Sequence, residues 1–227
     1  AVNASSTQGN IDIQQLEVGP NGDVYALMEI SNIGSSDSLF IGNTSFENLP
    51  GASRGAIAKV SKDGQVEWAR PLNMPVSGNL EPRLLALDGD GGYAVAGNCG
   101  QNYIGDYPDG AFAYCTIGNR FTTFVMRYAA NGTLEWVKTV EDGYLVGSAN
   151  GDLHIGPDGG VYLSNRFWRS GGVDFGSTNL GNSFQYGSTG YHSKISPAGE
   201  WEWALRDGDT GSPCSGADTS EPRGSAL

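Results

Sequence analysis

Apolar residues recur at every second position in short runs, and glycine-centred turns separate the runs. Ile11, Ile13, Leu16 and Val18 lead into Gly19-Pro20-Asn21-Gly22, after which the chain resumes as Val24-Tyr25-Ala26-Leu27-Met28. Asparagine and glycine tolerate the positive φ that a tight hairpin needs, so this segment predicts two antiparallel strands. The design returns around Asp88-Gly89-Asp90-Gly91-Gly92 and again around Gly156-Pro157-Asp158-Gly159-Gly160. Each copy is followed by a second hairpin that ends in a tryptophan strand, with turns at Lys62-Asp63-Gly64, Asn131-Gly132 and Pro197-Ala198-Gly199. Strict alternation predicts that Val66 and Trp68, Leu134 and Trp136, and Trp201 and Trp203 each share a face, with Glu67, Glu135, Glu200 and Glu202 on the other. No window carries a helical period.

Trp68, Trp136 and Trp203 lie 68 and 67 residues apart, and each follows a basic residue, Lys59, Arg127 or Lys194, by nine positions. One unit therefore reads as strand, turn, strand, a looser segment, strand, turn, tryptophan strand. Four strands and one tryptophan in a fixed period predict an all-β, β-propeller-like array of about three four-stranded blades, each of about 68 residues. The expected organisation is residues 1–9 as leader or linker, 10–78, 79–147 and 148–206 as repeats, and 207–227 as a linker with the start of a fourth repeat. The last assignment rests on Glu221-Pro222-Arg223, which repeats Glu81-Pro82-Arg83. Three units and a stub do not close a propeller, so the expectation is a longer parent chain or assembly of copies.

The strands Asp23-Val24-Tyr25-Ala26 and Gly160-Val161-Tyr162-Leu163, an aromatic-glycine segment, and the stretch Gly55-Ala56-Ile57-Ala58-Lys59-Val60-Ser61-Lys62-Asp63-Gly64-Gln65-Val66-Glu67-Trp68 resemble the bacterial SBBP-type β-propeller repeat family. Thr123–Arg127 and Tyr191–Ile195 carry the other copies of the last motif. The resemblance covers most of residues 10–206. It implies a propeller on an extracellular, bacterial, cell-surface protein without a characterised catalytic activity, and it supplies no functional residues.

Composition narrows the partners. A net charge of −12 argues against nucleic acid, whose phosphates need clustered Lys and Arg. The absence of a long apolar run argues against membrane insertion. Glycine at 35 of 227 residues, without a collagen period, fits turn punctuation.

Candidate chemistry is sparse. Trp68, Trp136 and Trp203, being repeated, read as structural core. Trp168, flanked by Arg166, Phe167 and Arg169, is unrepeated and with the loop residues Tyr103, Tyr107 and Tyr114 forms the candidate ligand-binding set. Asp88 and Asp90, like Asp207 and Asp209, resemble the front of a calcium loop, but the glycine and glutamate that such a loop needs later are missing. Calcium is thus the one cofactor with candidate ligands. Cys99 and Cys115 are a candidate disulfide worth about 3 kcal/mol by loop entropy, which leaves Cys214 odd. Asn43 and Asn131 fit the glycosylation triplet. His154 and His192 lack the spacing of a zinc site. There is no G-x-S-x-G, no glycine-rich phosphate loop and no basic patch, and nothing points to a triad assembled from distant residues.

These readings predict a non-enzymatic scaffold, adhesion or self-assembly module that contacts a protein partner or its own copies. The alternative is a carbohydrate-binding propeller, and a secreted hydrolase stands third.

Overall fold

A computed structural model describes residues 4–6, 10–31, 38–47, 53–72, 79–100, 102–104, 113–115, 122–140, 151–167, 173–181 and 189–207. The chain runs β1 (Ala4–Ser6), β2 (Asn10–Val18), β3 (Val24–Ser31), β4 (Ser38–Ile41), β5 (Thr44–Glu47), β6 (Ser53–Val60), β7 (Val66–Pro71), β8 (Asn79–Leu87), β9 (Tyr93–Gly100), β10 (Asn102–Ile104), β11 (Ala113–Cys115), β12 (Thr122–Tyr128), β13 (Leu134–Val140), β14 (Asp152–Ile155), β15 (Val161–Phe167), β16 (Asp174–Phe175), β17 (Thr178–Asn179), β18 (Thr189–Ile195) and β19 (Trp201–Arg206). All described elements are strands. They form three four-stranded antiparallel sheets, β2-β3-β6-β7, β8-β9-β12-β13 and β14-β15-β18-β19, each drawn from one contiguous stretch of chain. Smaller ladders, β1-β4-β5, β10-β11 and β16-β17, occupy the looser segments. Ala4–Ser6, expected as linker, pairs with β4.

The hairpin turns share a frame. The residue at the first turn position donates its N–H to the carbonyl four residues on, as in Gly19 to Asp23, Ser61 to Gln65 and Ser196 to Glu200, all at 2.8 Å. The left-handed glycine inside the frame, Gly22, Gly64 or Gly199, has φ near +80°, a conformation that other residues adopt only with strain.

The sheets stack face to face in chain order. Tyr25, Leu27 and Ile57 of the first sheet meet Leu85, Tyr93, Val95, Met126 and Tyr128 of the second in one core. The opposite face of the second sheet, Ala94, Ala96, Val125 and Trp136, packs on Leu153, Val161, Leu163, Tyr191 and Ile195 of the third. Neighbouring sheets come together through their first strands, β2 beside β8 and β8 beside β14. Gln15 in β2 ties that seam: its side-chain amide donates to the Leu85 carbonyl at 3.0 Å and accepts from the Leu85 N–H at 2.8 Å.

The tryptophan strands do not alternate as expected. A register shift lies between Lys59 and Val60, between Arg127 and Tyr128, and between Lys194 and Ile195. Val66 therefore opposes Val60 while Trp68 opposes Lys59. A one-residue bulge turns the two residues to opposite faces, overturning the shared face that simple period-2 reading gives. Leu134 faces the first sheet and Trp136 the third. Trp201 packs in the core between the second and third sheets, while Trp203 pairs with Lys194 and meets Tyr162 edge-on on the far face.

The first two bulges thus aim a tryptophan at the sheet that comes next. Trp68 stacks on Tyr93 of the second sheet at 6.2 Å. Trp136 donates its indole N–H to the Pro197 carbonyl of the third sheet at 2.9 Å, beneath Gly199, where a Cβ would come within 2.8 Å of the indole. Trp203 has no such cover among the described residues and is only partly buried. Truncating Trp136 to Ala should cost about 3–5 kcal/mol in chemical denaturation, whereas Trp203→Ala should cost about 1 kcal/mol. Equal losses would contradict the directional packing.

Candidate functional site

The repeated charges are spent inside the sheets. Lys59 holds Asp23 at 2.9 Å and Glu67 at 2.8 Å. Lys194 holds Asp158 at 2.7 Å and Glu202 at 2.8 Å. In the second sheet Arg127 binds Asp88 and lies 3.6 Å from Glu135. The glutamate is the residue inserted by each bulge, and it reaches back to the basic residue beside it. The aspartate comes from a different turn position each time, yet it meets the same cation.

One of these clamps engages the calcium candidate Asp88. Asp88 accepts the backbone N–H groups of Asp90 at 2.9 Å and Gly92 at 2.7 Å through one oxygen and binds Arg127 through the other. Its carboxylate organises a turn, and Asp90 is exposed on that turn. No group of three potential metal ligands occurs among the described residues. Asp209 lies outside them.

Electrostatics follow the contacts. The Lys59 hydrogen bond holds Asp23 below the usual carboxylate range, and the Lys194 hydrogen bond does the same for Asp158. For Asp88, burial pushes upward, but the Arg127 hydrogen bond and charge, with the two turn amides, leave it lowered. Lys59 and Lys194 are both raised, first by Glu67 and Asp158 respectively. Burial pushes the Tyr93 hydroxyl up to about 12 against the charge of Arg70. Burial likewise raises the Tyr191 hydroxyl.

One face of the third sheet breaks the repeat. In the first sheet, cross-strand partners Leu27 and Ile57, with Leu72, whose N–H bonds to the Gly55 carbonyl, sit in the core under the second sheet. In the second sheet the corresponding pair is Ala96 and Val125, again covered. In the third sheet those positions hold Ser164, His192 and Asp207. Ser164 Oγ lies 2.7 Å from His192 Nδ1, and His192 Nε2 lies 2.8 Å from Asp207 Oδ1. Asp207 reaches the ring because residue 190 is glycine: a Cβ there would collide with the Asp207 carboxylate. A carboxylate only accepts, so Nε2 carries the proton and Nδ1 is left to accept from the Ser164 hydroxyl. Ser164 is 8% exposed, and a third of the His192 side chain is open to solvent.

Sequence reasoning placed Asp207 among calcium ligands and gave His192 no role. The signal was available in the aligned repeats, as three polar residues at positions that are elsewhere aliphatic. Of the other predicted site residues, Tyr103 and Tyr114 are backbone partners in the β10-β11 ladder, while Trp168 and Tyr107 lie outside the described residues. Cys99 is buried and disulfide-bonded. The Cys115 backbone pairs with that of Asn102, and Cys214 lies outside the described residues. Asn43 and Asn131 sit on exposed turns, where Asn131 Oδ1 accepts the Thr133 N–H at 2.9 Å. No protein-family model matches the chain, and no curated protein is detectably similar to it.

The lowered aspartates contribute stability that is present above their ordinary pKa of about 4 and lost as pH falls through their lower folded values. The raised lysines contribute stability that is present below about pH 10 and lost as pH rises through their higher folded values. Thermal denaturation should therefore show a plateau between those limits with an acid shoulder, and the shoulder should shrink in Asp158→Asn. Arg127→Met, which strands the partly buried Asp88, should cost about 2 kcal/mol, between the cost of an exposed pair and that of a buried one.

Proposed function

We propose that this chain is an extracellular β-propeller repeat segment of the SBBP type that works as a scaffold, adhesion or self-association module. Sheets of one design packed face to face, converging through their first strands, support the propeller reading. The observation that carries association is the exposure of β2. Ile13, Leu16 and Val18 are 63%, 56% and 69% exposed. Their counterparts in β8, Pro82, Leu85 and Leu87, are buried or partly buried, and the two leucines belong to the core shared with the preceding sheet. Exposed aliphatics at positions built to be covered mark a surface that takes a partner. Pairing of two first sheets across a two-fold axis fits best, because a head-to-tail contact would press Ser164, His192 and Asp207 against aliphatic side chains.

Light scattering over a wide concentration range should show a mass rising above that of one chain, and Leu16→Glu with Val18→Lys should abolish the rise without changing the unfolding midpoint. A single-chain mass at every concentration would overturn self-association. A glycan-array signal that vanishes in Trp168→Ala would favour carbohydrate recognition instead.

A further inference from the structure

We propose that Ser164 is an acyl-accepting nucleophile, with His192 as its general base and Asp207 as the residue that positions the ring. This goes beyond the scaffold reading and does not depend on it. The three side chains come from β15, from β18 and from the position after β19, and they are joined in one hydrogen-bonded line through both ring nitrogens. The order along the imidazole is the reverse of that in the best-known serine hydrolases, since the serine meets Nδ1 and the carboxylate meets Nε2. The chemistry is the same: the carboxylate fixes the tautomer and stabilises the imidazolium, and the free ring nitrogen takes the hydroxyl proton.

Two further observations favour chemistry over packing. The first is position. The relay occupies places that are aliphatic in both sister sheets, and a third of the His192 side chain there is open to solvent. A sheet that needed only to fold could keep the aliphatic set. The second is charge. Arg166 lies two residues beyond Ser164 on the same face of β15 and pairs with Gly190. It brings a buried positive charge to the sheet face that carries the hydroxyl.

The substrate class is a carboxylic ester. The Ser164 oxygen bonds to the acyl carbon as its proton passes to His192 Nδ1. The carbonyl π pair moves to oxygen and returns as the ester C–O bond breaks, and the leaving alkoxide takes the proton from His192. Water then repeats the sequence, releasing the acid and restoring the serine.

The test uses the full chain with two probes, an alkyl fluorophosphonate, which transfers phosphorus to an activated serine with loss of fluoride, and p-nitrophenyl acetate. Peptide mapping should find one phosphonyl group per chain on Ser164, and the acetate should give a matching burst of p-nitrophenolate. Ser164→Ala should abolish both, and His192→Gln should slow labelling by about 100-fold or more. Gly190→Ala, which displaces Asp207, and Asp207→Asn should each slow it by about 10-fold or more. Nitrogen NMR should show His192 as the Nε2–H tautomer, and in Asp207→Asn as a mixture. Labelling spread over many serines, or Ser164 reacting no faster than an exposed serine while the His192 and Asp207 variants only lower the melting temperature, would overturn the proposal and leave the relay a structural hydrogen-bond line.

Discussion

A one-residue bulge opposite a basic side chain is the constraint from which the rest of the architecture follows. Without it, the residue two before each tryptophan would share the tryptophan's face, and an aliphatic pair would point one way. With it, Trp68 and Trp136 turn toward the sheet after while Val66 and Leu134 turn the other way, and in the third sheet Trp201 turns toward the sheet before. The bulge also frees a glutamate from the ladder and places it on Lys59, Arg127 or Lys194. Magnitudes separate the two roles. Partly exposed ion pairs contribute about 0–1 kcal/mol each, whereas burying an indole contributes several times that. The clamp therefore fixes direction, and the tryptophan supplies the energy.

Directional stacking makes the two ends of the array unlike. The first sheet's other face, with Met28, Ile30, Ala56 and Ala58, is buried together with Ile41 of the β4-β5 ladder, while Ile13, Leu16 and Val18 of its edge strand β2 are left bare. The other face of the third sheet carries the partly buried Trp203, Tyr162, His192 and Asp207 beside the buried Ser164 and Arg166. Repeat arrays need ends that differ from their interiors, because an interior face left open is insoluble or adhesive. Here one end retains interior character and the other has lost it, so the two ends call for different occupants.

Much of this was legible in the sequence. Alternation and glycine turns gave the strands, and the 68-residue period of Trp68 and Trp136 gave the four-stranded unit. The facing of the tryptophans was not legible, because an inserted glutamate leaves the spacing of Val66 and Trp68 unchanged while altering their register. The clamps were hidden for a related reason. Asp23, Asp88 and Asp158 fall at three different places in their turns, so alignment scatters residues that space brings to one cation. Asp88 looked like a calcium ligand because a turn-capping carboxylate and a metal-binding one share the same local sequence. The relay escaped because Ser164, His192 and Asp207 belong to no short motif and meet only through strand register.

That substitution also limits what can lie against the third sheet. Burying a hydroxyl, an imidazole and a carboxylate beneath an aliphatic face like that of the second sheet would desolvate all three, at a cost of several kcal/mol beyond what their mutual hydrogen bonds return. The first sheet avoids that cost by keeping Leu27, Ile57 and Leu72, and the second by keeping Ala96, Val125 and Val140. Either water or a polar ligand therefore suits this face, and a further sheet of the same aliphatic design does not. Trp203 and Tyr162 beside it would then serve as the apolar wall of an open polar site, with Lys194 held over the Tyr162 ring at 5.5 Å. In the first sheet the same aromatic pair, Trp68 and Tyr25, closes a core.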